Sequence, residues 1–427
     1  MNARHSRIAL AAALSTALLA TACGTSSGET AQAAAASDIA SCDPQGVTIT
    51  AQYAEQGDTA AQAAKIAMES EYPGLTVQLK NAASTGYDKL TQQMVSDIAA
   101  GARPDVAMIG LGQIRFWVDQ YKPQPLDTAA LADTYDQRFL DIGTVNGSAY
   151  VAPFQVSVPV LYTNTSITEA AGVTTVPETT DQLIANATAV KDSTGKAAAQ
   201  LPRDGIADWV AQAMIQSAGA TFVEQDGQPG FDTDKGRTGL EVYERLGTDK
   251  LIDPVSDNDM LTMFNTGNLA YMVTSPATAA SVKKTVGDAF DWTVSAMPLP
   301  EGGEASLPAG GNGWIVLSED SCKAAFGNAL IGHMLDPEVI VESSKAYSYI
   351  PVDAQAAATL AADPDAQSQL GYSWTYQGTP TAWGGWHGDA TPKVNQFMQD
   401  MIQRLTAGEP LDPVLTDTVR RIQGAVR

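Results

Sequence analysis

Polar side chains at strand ends, and indole rings beside paired glycines, are the chemistry this sequence offers. Gln56 and Asp58 follow the strand-like run Val47 to Tyr53, and Gln113 and Arg115 follow Asp105-Val106-Ala107-Met108-Ile109. Amides and carboxylates in such loops accept and donate in pairs, which suits a neutral, hydroxyl-rich solute. Asp58 reads equally well as a helix cap. Trp383 and Trp386 flank Gly384-Gly385, where two indoles stand exposed unless a ligand covers them. Other chemistry lacks its residues. Beyond the N-terminal leader the histidines are His333 and His387, and no Cys-x-x-Cys occurs, so neither a metal, a cofactor nor a histidine-based triad is expected. Gly24-Thr25-Ser26-Ser27-Gly28 has the spacing of a nucleophile elbow without the strand and helix that must flank one. Asp232-x-Asp234 lacks the remaining ligands of a calcium loop. In so acidic a chain carboxylate pairs are too common to nominate a glycosidase.

Strands and helices that alternate from Val47 onward must position these loops. Val47 to Tyr53 is strand-like, and a helix is expected over about Thr59 to Glu71 with an Ala/Ile/Met face. Leu75 to Leu79 alternates with period two. Leu90, Met94 and Ile98 recur at helical spacing before Gly101 and Pro104, and the apolar run ending at Ile109 suits a buried parallel strand. This βαβαβ order predicts a doubly wound α/β sheet, whose ligands sit beyond the carboxyl ends of its strands. Tyr53–Asp58 and Gly110–Arg115 then border a cleft. Ala149 to Thr163 is extended enough to cross between two bodies, and the Pro/Gly-rich stretch Pro298 to Gly313 marks another crossing. A second α/β body lies between them. The chain closes with two helices, the first with Val394, Phe397, Met398, Met401, Ile402 and Leu405 on one face.

The N-terminus sets the compartment. Arg4 and Arg7 precede an Ala/Leu-rich stretch too short to span a membrane, followed by Leu19-Ala20-Thr21-Ala22-Cys23-Gly24. The pattern resembles a bacterial lipoprotein signal, with residues 1–22 removed and Cys23 lipidated. Residues 24–41 are small and polar with only Ile39 to bury, so 23–41 is expected to be a lipid-anchored flexible tether reaching about 20–25 Å. With Arg4 and Arg7 gone, 23 basic residues face 48 acidic ones, a net −25 that argues against nucleic acid and anionic membrane surfaces as partners. The remaining length suggests two lobes. Cys42 and Cys322 are either a disulfide or two unrelated buried thiols.

Several weak motifs in order carry a stronger signal. They are Tyr87-Asp88-Lys89-Leu90, Gly101-x-x-Pro104-Asp105-Val106, Leu161-Tyr162-Thr163-Asn164, Met263 to Met272, Gly310-Gly311-Asn312-Gly313-Trp314-Ile315 and Tyr349-Ile350-Pro351-Val352. Together they resemble the extracellular solute-binding proteins of bacterial ABC importers, the family that includes maltose-binding protein. The resemblance implies a two-lobe periplasmic-binding-protein fold, type II-like, with three interlobe crossings near Gln155–Val158, Asn312–Val316 and Gly378–Ala382. Residues 42–156 and 316–378 would form the N-terminal lobe, and 157–315 and 379–427 the C-terminal lobe. Cys42 and Cys322 then share a lobe, which favours their pairing.

The resemblance also implies a function and a site. A monomer would capture a neutral carbohydrate, such as an oligosaccharide, by hinge closure and present it to the permease's transmembrane subunits, tethered outside the cytoplasm through Cys23. Trp209 falls where the family stacks a ring on a sugar face, and Trp383 and Trp386 lie in the third crossing. Asp204 before Trp209, Asn312 in the second crossing and Tyr349 complete the implied ligand set. Trp314 and Trp374 read as core. Ala277 stands where the family often carries a tryptophan, so maltose specificity does not transfer. Within the class the alternative ligands are glycerol-3-phosphate, a phosphodiester or a polyol, the anions requiring Arg115, Arg203 or Lys89 in the cleft. A lipid-anchored glycoside hydrolase and a non-transporting adhesin are more distant alternatives.

Overall fold

The computed structural model describes residues 38–83 and 86–426, so the leader, Cys23 and residues 24–37 lie outside it. In chain order the strands are β1 (Thr48–Tyr53), β2 (Thr76–Asn81), β3 (Val106–Gly110), β4 (Thr144–Val145), β5 (Ser148–Ala149), β6 (Ala152–Ser157), β7 (Val160–Asn164), β8 (Ala197–Gln200), β9 (Leu269–Thr274), β10 (Trp292–Ala296) and β11 (Gly310–Val316). Five form one sheet in the order β2-β1-β3-β11-β6, four form a second in the order β10-β7-β9-β8, and β4 and β5 pair as a small hairpin.

The first sheet is the doubly wound unit that the sequence pattern demands. β1 pairs parallel with β2 and β3, linked by the helices Asp58–Glu71 and Tyr87–Ala99. All five residues of β3 are buried, as its unbroken apolar run requires of a central parallel strand. The first helix buries Ala60, Ala61, Ala64 and Met68. β11 enters antiparallel between β3 and β6, with an irregularity in register between Asn312 and Gly313. Gly311 is obligatory there. Its φ is +104°, and an added Cβ would lie 1.8 Å from the carbonyl oxygen of Gln155.

Two boundaries differ from the sequence expectation. Gly310–Val316 lies wholly in the first sheet, so the second crossing falls before Gly310, within the Pro/Gly-rich stretch, rather than at Asn312–Val316. The first-lobe sheet captures β11 because its apolar and glycine residues fit the gap between β3 and β6. The expected tether also ends early. Asp38 accepts from the Ala40 amide at 3.0 Å to cap a short turn over Ile39–Ser41, and Ile39 packs partly buried against the core. Cys42 is joined to Cys322 with Cα atoms 5.5 Å apart, fastening this turn to the helix Ser321–Met334.

The chain passes from β6 to β7 through Val158 and Pro159, and from one sheet to the other. The segment after Gly378 runs beside the second crossing, where Thr381 donates to Leu307 and accepts from Ala309. The second sheet is flanked by the helices Thr180–Thr194 and Asp257–Asn265, while in the same lobe the helices Ala207–Ser217, Asp234–Thr248 and Thr391–Thr406 pack on one another. The helix Ala207–Ser217 is buried at ten of its eleven positions, the polar Asp208, Gln212 and Ser217 among them. Among the described residues no helix is long and apolar enough to cross a membrane.

Candidate functional site

A cavity of about 490 Å³ opens where the two lobes meet, within the range of small-molecule sites. The first lobe supplies Gln56, Tyr87, Ser157, Gly310, Gly311, Tyr347 and Tyr349. The second supplies Ile206, Trp209, Ser275, Ala277, Thr278 and Ser281, and Trp383 reaches in from the C-terminal segment. The wall is aromatic and hydroxyl-bearing, and none of these lining residues is charged.

The tryptophans are fixed from behind. Trp209 is 1% exposed and donates its indole N–H to the Pro308 carbonyl at 2.8 Å. Its ring lies 6.0 Å from that of Trp383 at 45°. Trp383 donates to Asp208 Oδ2 at 2.9 Å, while the neighbouring backbone is clipped by Gln212, which accepts from Gly384 N at 2.9 Å and donates to the Ala382 carbonyl at 2.9 Å. Asp208 and Gln212 are four apart on one helix, so a single helix face holds the loop. Burial pushes the Asp208 carboxyl up to about 7, against the lowering effect of the Trp383 N–H and helix-end amides, and Asp88 raises it further.

Beneath the floor, Gln155 Nε2 donates to the Gln56 carbonyl at 3.1 Å and to Ser343 Oγ at 2.7 Å, while Gln155 Oε1 accepts from Asn312 Nδ2 at 2.6 Å. Asn312 Nδ2 also donates to the Tyr87 hydroxyl at 2.9 Å. Burial, then the neighbouring Tyr87, holds the Tyr349 phenol well above its ordinary range, so it remains a neutral hydroxyl.

The structure brings together Gln56, Trp209, Tyr349 and Trp383 from the expected set, and disperses the others. Asn312 is fully buried and supports Tyr87 instead of lining the cavity. Asp58 starts the first helix and accepts from the Tyr53 hydroxyl at 2.8 Å and Asn81 at 3.2 Å. Gln113 accepts from Thr91 and donates to Asp88, each at 2.7 Å. Arg115 pairs with Asp119 one helical turn on, at 2.8 Å. Asp204 accepts from the Asp257 amide at 3.1 Å, and the Asp257 carboxyl accepts from the Arg203 amide at 3.0 Å, a pair of bonds that sets the loop leading to Ile206. Burial and then Asp204 push the Asp257 carboxyl up to about 6. Trp386 is 1% exposed, edge-on to Phe222 at 5.3 Å. The positive φ angles of Gly384 and Gly385 turn the chain between the two indoles, sending one to the cavity and the other into the core. Trp314 and Trp374 are core, as expected.

Tyr347 and Ile206 were not singled out in the sequence, and Tyr87 appeared there only within a motif. Tyr347 and Tyr349 flank Ser348, a buried residue with φ of +55°, and no local pattern announces that conformation.

Comparison with known proteins agrees with this architecture. The profile of the bacterial extracellular solute-binding proteins matches residues 50–340, more than half of the chain. The chain belongs to that family. The fold of this solute-binding protein resembles the cyclic alpha-maltosyl-1,6-maltose binding protein from Arthrobacter globiformis, with a TM-score of 0.75, 18% identity, and 89% of this chain and 99% of that one covered. The sugar-binding protein MalE from Xanthomonas citri gives a TM-score of 0.75 at 17% identity, covering 89% and 97%. The lactose-binding protein of Rhizobium radiobacter is 26% identical over 268 residues, 60% of this chain and 62% of that protein. The chain spans less than two thirds of the length of the curated relatives it matches.

Proposed function

We propose that this solute-binding protein captures a neutral carbohydrate, an oligosaccharide among the candidates, and delivers it to the membrane subunits of an ABC importer. The observation that carries the reading is the uncharged cavity walled by Trp209, Trp383, Tyr347 and Tyr349. Aromatic faces bury the C–H surfaces of a sugar while hydroxyls and amides at the rim bond its oxygens. The names of relatives support this, one binding a cyclic maltosyl-maltose and another lactose. Ligand contacts to both lobes would favour a closed state that the importer reads. In the same reading residues 1–22 serve as the export signal, and lipid on Cys23 holds a monomer at the extracytoplasmic face of the cell membrane.

An anionic ligand lacks its cations. Arg115 is committed to Asp119, Arg203 Nε donates to Thr406 at 2.7 Å, and Lys89 borders a separate hollow with Gln52 and Lys80. A polyol remains compatible with the wall. Hydrolysis of a glycosidic bond needs two carboxyls about the scissile bond, and none lines this cavity. The reading is tested by titrating the mature protein with maltose, maltotetraose, lactose and tagatose while following tryptophan fluorescence. A saturable response insensitive to salt supports it. Silence toward every sugar, with a response to glycerol-3-phosphate that salt weakens, defeats it. Labelled fatty acid on the wild type but not on Cys23→Ser checks the anchor.

A further inference from the structure

Most hydroxyls around the cavity already have protein partners. Ser275 Oγ accepts from the Ala277 amide at 3.2 Å. Thr278 Oγ1 donates to the Ser275 carbonyl at 3.1 Å and lies 3.0 Å from the Tyr162 hydroxyl. Ser281 Oγ donates to the Thr278 carbonyl at 2.8 Å. In the first lobe the Tyr87 and Tyr349 hydroxyls bond each other, and Tyr87 also accepts from Asn312. Ser157, the last residue of β6, differs. It lines the cavity at 2% exposure, and its hydroxyl has no hydrogen-bond partner among the described residues. Tyr347 is only half-buried, so water can serve its hydroxyl.

The fold also keeps room beside Ser157. A Cβ at Gly310 would lie 2.9 Å from Ser157 Oγ and 2.7 Å from Cζ2 of Trp209. All three residues line the cavity, so the hydroxyl and the edge of the indole border one corner that glycine leaves open. A serine hydroxyl both donates and accepts. Once a solute has displaced water from that corner, an oxygen of the solute is the partner left to it.

We propose that Ser157 is a specificity-determining residue of this site, its hydroxyl bonding an oxygen of the solute that packs against Trp209. The inference rests on the carbohydrate reading above and makes one demand on the ligand: a hydroxyl on the part of the sugar that reaches the corner between Trp209 and Gly310. A solute without it leaves Ser157 desolvated and unpaired, which costs more than the bond itself adds. Selection therefore acts mainly by rejecting the analogue that lacks this oxygen.

The test uses the mature protein and calorimetric titration. Maltose, lactose and tagatose identify a binding sugar, whose monodeoxy derivatives are then titrated against wild type and Ser157→Ala. Wild type is expected to lose about tenfold in affinity for one derivative in particular. Ser157→Ala should bind the parent about tenfold more weakly than wild type does, and should bind that derivative as well as the parent. The substitution removes a single oxygen atom, and thermal melting of the unliganded variant checks that it folds. If Ser157→Ala leaves every affinity unchanged, or weakens parent and all derivatives by one common factor, the role of Ser157 is overturned while the carbohydrate reading stands. If wild type binds none of the sugars, both fall together.

Discussion

The indole N–H of Trp383 donates to Asp208 Oδ2 at 2.9 Å, while Asp208 Oδ1 is buried with no hydrogen-bond partner among the described residues. A cavity-wall ring thus hangs from a carboxyl that burial keeps protonated up to about pH 7. The folded carboxyl titrates above its ordinary unfolded value near 4. Its contribution to stability is therefore fully present below about pH 4 and is lost as pH rises through about 7.

Asp208→Asn removes that loss while keeping an oxygen to accept from Trp383. The variant should match the wild type in melting temperature near pH 4.5 and exceed it above pH 7.5, by several degrees for a few kcal/mol. Asp257, raised to about 6 by burial and Asp204, shifts wild type and variant alike, so their difference isolates Asp208. A gap that is constant across pH would reject the assignment.

Gly112→Ala tests whether the placement of Trp383 matters to binding. A Cβ at Gly112 would come within 2.7 Å of the Trp383 ring and would meet no backbone closer than that. The half-buried indole has to move, whereas the first-lobe sheet does not. Sugar affinity should fall about tenfold with a melting shift equivalent to under about 1 kcal/mol. Retained affinity would show that the ring's position is not read by the ligand.

Much of this architecture was legible because periodicity reports burial directly. The apolar run at Val106–Ile109 and the helical recurrence of Leu90 and Met94 leave little freedom in the first sheet. The edge of β11 was misplaced because a glycine-rich strand carries almost no side-chain pattern, and its membership is decided by which sheet has room for it. The site was less legible for a related reason. Gln113 and Asp204 do end strands or open helices, but partners that the fold brings near claim them, and Arg115 is claimed by Asp119 one turn along its own helix. Tyr87 belongs to the motif Tyr87-Asp88-Lys89-Leu90, yet its hydroxyl accepts from Asn312, 225 residues along the chain, and no local pattern announces that contact.

The two indoles flanking Gly384-Gly385 should now separate in their effects. Trp383→Ala opens the cavity wall and is expected to cost about tenfold in sugar affinity, with folding retained. Trp386→Ala empties a core position against Phe222 and should cost about 3–5 kcal/mol of stability. Its affinity, measured below its melting point, should stay near that of the wild type. Loss of binding by Trp386→Ala at full stability would return that ring to the site.

The Cys42–Cys322 bond closes a loop with a sequence separation of 280 and fastens the start of the folded body to the helix Ser321–Met334. Neither cysteine lines the cavity. Restricting so long a loop in the unfolded chain stabilises the folded one by about 2–5 kcal/mol on typical experience. The Cys42→Ser, Cys322→Ser double variant should accordingly melt several degrees lower, and a reductant should shift the wild type to the same midpoint without moving the variant. Because the cavity walls are held by the Gln155–Asn312 and Asp208–Trp383 bonds, in which neither cysteine takes part, sugar affinity at low temperature should be unchanged. A parallel fall in affinity and melting temperature would mean instead that the disulfide sets the geometry of the first-lobe floor.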